Sequence, residues 1–182
     1  MALTGSKGLP VGTPAPSFTL PGVDGATHSL EDFADARALV VVFTCNHCPY
    51  AVALEDRFIA LQEETRDAGV RLVAISANDA RNYPADSFEA MKERSVAKGF
   101  NFPYLYDESQ AVARAYDAAC TPDPFVFDGA RKLVYNGRVD DSWRDASRVT
   151  RRDLRAAIDH ALAGTPVDFE VKPAMGCSIK WK

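Results

Sequence analysis

Ala38-Leu-Val-Val-Val-Phe-Thr-Cys-Asn-His-Cys-Pro49 is the stretch that decides how this chain is read. Its first six residues are apolar throughout and rich in Val, the composition of a central strand covered on both faces. The run has strand length and is far too short to cross a bilayer. It breaks at Thr44 and gives way to Cys45-x-x-Cys48. Beyond Pro49, Val52, Leu54, Phe58, Ile59 and Leu61 recur at helical spacing, and Gly69 is a helix stop. Val70-Arg-Leu-Val-Ala-Ile75 is a second buried strand. Strand, helix and strand in that order imply a parallel, right-handed crossover.

Working outward, Gly8 to Pro16 reads as an extended arm, and Phe18–Leu20 and Thr27–Leu30 as a small hairpin around Val23–Ala26. Glu31–Phe33 begins a short helical turn. Ser87–Lys98 and Ser109–Ala118 read as helices. Phe125–Phe127 and Lys132–Tyr135 form a hairpin across Asp128–Arg131. Thr150–Ala163 is a closing helix with Gly164 beyond it, and 165–182 is a tail of unassigned structure. The expectation is one α/β domain over 1–182, with its core at about 10–163.

The totals remove several function classes. The chain has 182 residues, 47% hydrophobic and 25% charged, with a formal net charge of −4. A chain with no basic excess is poorly equipped to hold phosphates, so nucleic acid is not expected as a partner, and neither is a membrane. Met1–Pro16 lacks a positive cluster followed by an apolar stretch, so the expected compartment is the cytoplasm. Four cysteines are too few for a secreted disulfide scaffold. In a reducing compartment, C-x-x-C means redox chemistry or half a metal site.

A cysteine between a buried strand and a helix sits where free N–H groups and the positive dipole end stabilise a thiolate. Cys45 is therefore expected to attack and Cys48 to resolve, with His47 between them tuning the thiolate. Pro49 fits a first helical turn. A zinc site drawing on Cys120 and Cys177 is the non-enzymatic rival, but those two cysteines form no second knuckle, and no metal is expected.

With these motifs in hand, residues 10 to 163 resemble the thioredoxin-like superfamily, and within it the redoxin branch around the peroxiredoxins. The resemblance rests on Leu39–Phe43 leading into Thr44-Cys-Asn-His-Cys-Pro49, and on Cys120-Thr-Pro-Asp-Pro-Phe-Val-Phe-Asp128. It implies a glutaredoxin-type three-layer sandwich, a central mixed sheet with the N-terminal hairpin as an extension. It also implies a cis Pro122 facing the dithiol, with Thr121 offering backbone groups to a bound chain. Thr44 joins them as a substrate-binding candidate. Cys48-Pro49 also resembles the peroxidatic Cys-Pro of peroxiredoxins, which makes a thiol-dependent, antioxidant peroxidase the alternative reading. The sequence departs from that pattern twice. Three residues separate Thr44 from Cys48 where that family has fewer, and Pro122 stands where it carries an arginine.

The expected activity is thiol–disulfide exchange with a protein or small-molecule disulfide, supplied by an external thiol reductant. Peroxide is the alternative substrate. The redox-active disulfide takes the place of any dissociable cofactor. Cys120 and Cys177 are accessory thiol candidates, although Cys120 reads more simply as a buried small side chain. Met175, Ile179 and Trp181 in the tail imply docking on the body or on a second copy in a homodimer. Tyr50, Phe88, Tyr104 and Trp143 are candidates to border the site, and Asp140–Asp145 reads as a solvated turn.

Overall fold

The computed structural model describes residues 3–182. In chain order the elements are β1 (Leu3–Gly5), β2 (Thr19–Pro21), β3 (Thr27–Ser29), β4 (Ala38–Phe43), α1 (Pro49–Thr65), β5 (Val70–Ser76) and α2 (Phe88–Lys98). Then come β6 (Tyr104–Tyr106), α3 (Ala111–Ala115), β7 (Cys120–Thr121), β8 (Asp123–Asp128), β9 (Leu133–Asn136), α4 (Asp153–Ala163) and β10 (Met175–Ser178).

The apolar run 38–43 is the middle strand of a five-stranded mixed sheet, ordered β6-β5-β4-β8-β9. It pairs parallel with β5 and antiparallel with β8, so its backbone is bonded on both edges. Its side chains alternate between two cores, as a strand must. Ala38, Val40 and Val42 join Leu54, Phe58 and Leu61 of α1 and Leu154, Ala157 and Ile158 of α4. Leu39, Val41 and Phe43 join Phe18, Leu20 and Phe33 of the N-terminal segment and Val112, Ala113 and Tyr116 around α3. This double burial produces the three-layer α/β arrangement and explains why the strand lacks polar positions. Each fully buried Leu or Phe contributes roughly 1.5–3 kcal/mol.

A second sheet, ordered β1-β10-β7, places the C-terminal tail beside the segment that leads into Pro122. Cys177 stands opposite Thr121, and Ser178 opposite Cys120.

The structure departs from the sequence reading in several places. The helix expected over Ser109–Ala118 is confined to Ala111–Ala115, bounded by positive φ at Gln110 and Asp117. The closing helix starts at Asp153 rather than Thr150, because Asp141 holds the backbone N–H groups of Thr150 and Arg151. Short β6 was not anticipated, since only its pairing with β5 makes it a strand. Asp140 is buried and ion-paired with Arg57, so the acid-rich turn is not simply solvated. Among the described residues, no helix is long and apolar enough to cross a membrane.

Candidate active site

Helix α1 begins with Pro49, whose fixed φ suits a first turn and whose missing N–H leaves no orphan donor. The residue that caps it is Cys48, in an extended conformation. The N–H of Ala51 is therefore directed at the Cys48 sulfur. Cys45 lies three residues earlier, two residues beyond the end of β4, and both cysteines are free thiols.

The two thiols are unequal in acidity. A hydrogen bond from Cys45, joined by the Cys177 thiol and the Ala51 N–H, holds Cys48 well below the ordinary thiol range, against the opposing effect of burial. The same bond to Cys48, then burial and the Asp86 carboxylate, pushes Cys45 far above it. The cap position of α1 belongs to Cys48, whereas the sequence reading placed the thiolate on Cys45. With both thiols protonated, Cys48 donates to the Thr121 carbonyl at 3.1 Å, and Cys45 Sγ lies 3.3 Å from Thr121 Oγ1. Thr121 thus touches both sulfurs through different atoms. The peptide between it and Pro122 is cis.

His47 is turned away from a simple role beside the thiolate. Its Nδ1–H donates to Asp86 Oδ2 at 2.5 Å, and its ring stacks on Tyr83 with centroids 5.3 Å apart. Asp86 is fully buried and also accepts from the Asn46 N–H at 2.8 Å and from Asn78 Nδ2 at 2.8 Å. The short turn Pro84–Asp86 therefore clasps the loop between the cysteines. His47 Nε2 has no hydrogen-bond partner among the described residues.

The tail closes the site. Cys45 is 2%, Cys48 0% and Cys177 5% exposed. Gly176 lies against the Thr121 backbone, and Cys177 packs with Cys45, Cys48 and Ala51. Further along, the Lys180 N–H donates to Asn78 Oδ1 at 2.8 Å, and its carbonyl accepts from the Asp79 N–H at 2.8 Å and from Gln110 Nε2 at 2.9 Å. Asn78 thus joins the tail to the carboxylate that holds His47.

Other expected residues fall differently. Thr44 lines a small cavity with Glu55 and Phe58. Cys120 is fully buried, with its thiol 3.7 Å from the Pro122 carbonyl and 3.8 Å from that of Ala174, and burial raises its pKa far above the ordinary value. Tyr104 donates to Asn46 Oδ1 at 3.1 Å and so supports the loop. Tyr50 packs on Trp143 with centroids 4.0 Å apart, whereas Phe88 packs on Tyr106. A cleft of about 320 Å³ opens beside Pro122, lined by Arg138, Trp143, Lys172 and Met175 among others.

Sequence reasoning missed Asp86, Asn78 and Gly176. Asp86 lies 39 residues from His47, and no local pattern marks it. The one available signal is Asn78-Asp79, polar residues at the end of a buried strand.

Among the described residues, one group of side chains has donor atoms close enough to hold a metal: Cys45 Sγ, a His47 ring nitrogen and an Asp86 oxygen lie within 4.8 Å of one another. Both Asp86 oxygens are already engaged, by Asn46, His47 and Asn78, so an ion would have to displace those bonds. Cys120, bonded to carbonyls elsewhere, does not complete the zinc set considered from sequence.

Residues 10–158 match the model of the Redoxin family. The chain belongs to the Redoxin family. A peroxiredoxin-like protein of Mycobacterium tuberculosis is 29% identical over 116 residues, which is 64% of this chain and 69% of that one. The crystal structure of an uncharacterized conserved protein from Geobacillus kaustophilus is 47% identical, with a TM-score of 0.95 over 100% of this chain and 97% of that one. A hypothetical protein from Sinorhizobium meliloti is 41% identical, with a TM-score of 0.93 over 98% of each chain. The thioredoxin domain of a Bacteroides vulgatus thiol-disulfide oxidoreductase has a TM-score of 0.61 at 19% identity, covering 70% of this chain and 88% of that one, which shows the shared fold. This redoxin is therefore thioredoxin-like in fold, and its class of chemistry is thiol oxidoreduction.

Proposed function

We propose that this redoxin is a thiol–disulfide oxidoreductase that cycles Cys45 and Cys48 between dithiol and disulfide. The observation that carries this reading is that both sulfurs pack together at a helix mouth and each lies against Thr121. Sulfurs packed together against one threonine need little movement to bond covalently.

In the forward cycle the Cys48 thiolate attacks a substrate disulfide, forming a mixed disulfide and releasing one substrate thiolate. Cys45 then attacks Cys48 Sγ, the second substrate sulfur leaves, and the Cys45 proton passes to the solvent or to that leaving group. The roles are the reverse of those expected from sequence, and the support is the cap position of Cys48. His47 Nε2, unpartnered beside the loop, is available as a proton relay. An external thiol reductant closes the cycle, and the pair needs no dissociable cofactor. The cleft beside Pro122 is the proposed seat for the substrate chain, once β10 makes way.

The test is reduction of a model protein disulfide with a small thiol as terminal reductant. Wild type turns over, and Cys45→Ser and Cys48→Ser each lose turnover. Full activity in either variant defeats the reading.

The low proton affinity of Cys48, next to Pro49, favours a second reading as a thiol peroxidase. Peroxide consumption would then survive Cys45→Ser with added thiol and vanish in Cys48→Ser. Against it, the groups lowering Cys48 are thiols, a hydroxyl and a backbone N–H, with no guanidinium to steady a developing oxyanion. A zinc-binding module predicts stoichiometric zinc in the purified protein and no titratable dithiol.

A further inference from the structure

Three sulfurs meet at the mouth of α1, and the third arrives on a strand. Directly opposite residues of an antiparallel pair stand on the same face, with β-carbons about 4.5–5.5 Å apart. Cys177 is opposite Thr121, whose hydroxyl touches Cys45, so Cys177 faces the dithiol. It packs in one cluster with Cys45, Cys48 and Ala51. Cys120, one residue along β7, is opposite Ser178 and bonds to carbonyls of Pro122 and Ala174 instead. Register thus selects one of the two remaining cysteines. Gly176 allows the close approach, because a β-carbon there would meet the Thr121 oxygen at 2.0 Å.

We propose that Cys177 is a third redox-active thiol that exchanges with the Cys45–Cys48 disulfide by attacking Cys48, so that β10 is an internal substrate held on the Thr121 edge. This rests on the preceding reading that Cys45 and Cys48 form a disulfide. The Cys177 thiolate attacks Cys48 Sγ. The Cys48–Cys177 bond forms, the Cys45–Cys48 bond breaks, and the electron pair leaves on Cys45, which takes up the proton lost by Cys177. One disulfide exists before and after, so the step needs no oxidant or reductant.

The direction of control follows from the surroundings. In the reduced protein, burial and then the bond and charge of Cys48 push Cys177 up to about 11, while Lys180 pulls it down. Oxidation of Cys48 removes its negative charge and its capacity to accept that bond. Cys177 therefore becomes a better nucleophile when the pair it would attack is oxidised. Transfer to Cys177 also carries the disulfide from the floor of the site to the strand that covers it.

The test is peptide mapping of the full chain equilibrated in a series of glutathione redox buffers, acid-quenched and alkylated. Wild type is expected to show Cys45–Cys48 at the oxidising end and a Cys48–Cys177 fraction at intermediate poise, absent from Cys177→Ser. Cys45→Ser is expected to form Cys48–Cys177 as a monomeric, concentration-independent linkage, and Cys120→Ser to map as wild type. If folded wild type forms Cys45–Cys48 but never Cys48–Cys177, the inference is overturned while the parent reading stands. If Cys45→Ser yields only glutathione adducts or dimers on Cys48, with Cys177 free, it is likewise overturned. A wild type that forms no Cys45–Cys48 disulfide overturns both.

Discussion

The Cα of Gly176 lies so close to the carbonyl of Thr121 that a β-carbon would stand 2.0 Å from its oxygen, nearer than any such contact tolerates. Gly176→Ala must therefore lift β10 from β7. Overpacking of this kind costs about 1–3 kcal/mol. The expected outcome is alkylation of Cys45 and Cys48 by iodoacetamide that is roughly tenfold faster or more, the factor that about 1.4 kcal/mol of easier opening provides. Mass-resolved alkylation under native conditions measures it. An unchanged rate means that the tail does not shield the sulfurs.

Cys48 should be the first thiol to ionise, well below the range of a free cysteine. Ultraviolet thiolate absorbance gives the titration, and alkylation at mildly acidic pH gives the site. Cys45→Ala removes the largest favourable contact of the Cys48 thiolate and should raise its pKa by about one unit or more. Cys45→Ser should raise it less, because a hydroxyl still donates. First alkylation at Cys45 contradicts the assignment.

Asp86→Asn should loosen the loop between the cysteines. The amide can still accept from the Asn46 N–H, but its NH₂ then confronts the Asn78 NH₂ and loses His47. Leaving buried donors unmatched costs about 1–3 kcal/mol, readable as a lower urea midpoint. The same change removes a negative charge that raises Cys45, so the Cys45 titration should move down. A stable variant with unmoved thiols would show that Asp86 is incidental.

The central sheet was legible because residues 38–43 and 70–75 carry burial on both faces in their composition alone. The dithiol was legible because its spacing and its strand–helix junction are local. The helix cap was harder. Cys45 and Cys48 are equally near the junction in sequence, and only the entry angle of the chain decides which sulfur receives the Ala51 N–H. The clasp of Asp86 on His47, and the pairing of Cys177 with Thr121, join residues 39 and 56 positions apart. Such contacts are products of tertiary packing, so no window of sequence displays them. For the same reason the sequence assigns the docked tail no element: a four-residue strand is stable only against a partner edge.

Asp123, buried just beyond Pro122, should give the fold an acid-side stability trend. Burial raises its carboxyl to about 6, against the ordinary 3.8, despite bonds from Asn136 and Ala119. Between those values the native state binds more protons than the unfolded chain, so stability falls as pH rises through roughly 4 to 6. The full effect is about 3 kcal/mol. Urea unfolding at a series of pH values should show this decline in wild type and a flatter profile in Asp123→Asn. Parallel profiles would rule out Asp123 as the source.

Burial of all three sulfurs beneath one short strand turns the site into a sieve. A diatomic-sized oxidant, a tripeptide disulfide and a folded protein need different widths of opening, and each wider opening is rarer. Reactivity should therefore be graded by reagent bulk before it is graded by redox potential. The hydrogen bonds that join the Lys180 backbone to Asn78, Asp79 and Gln110 set the mesh.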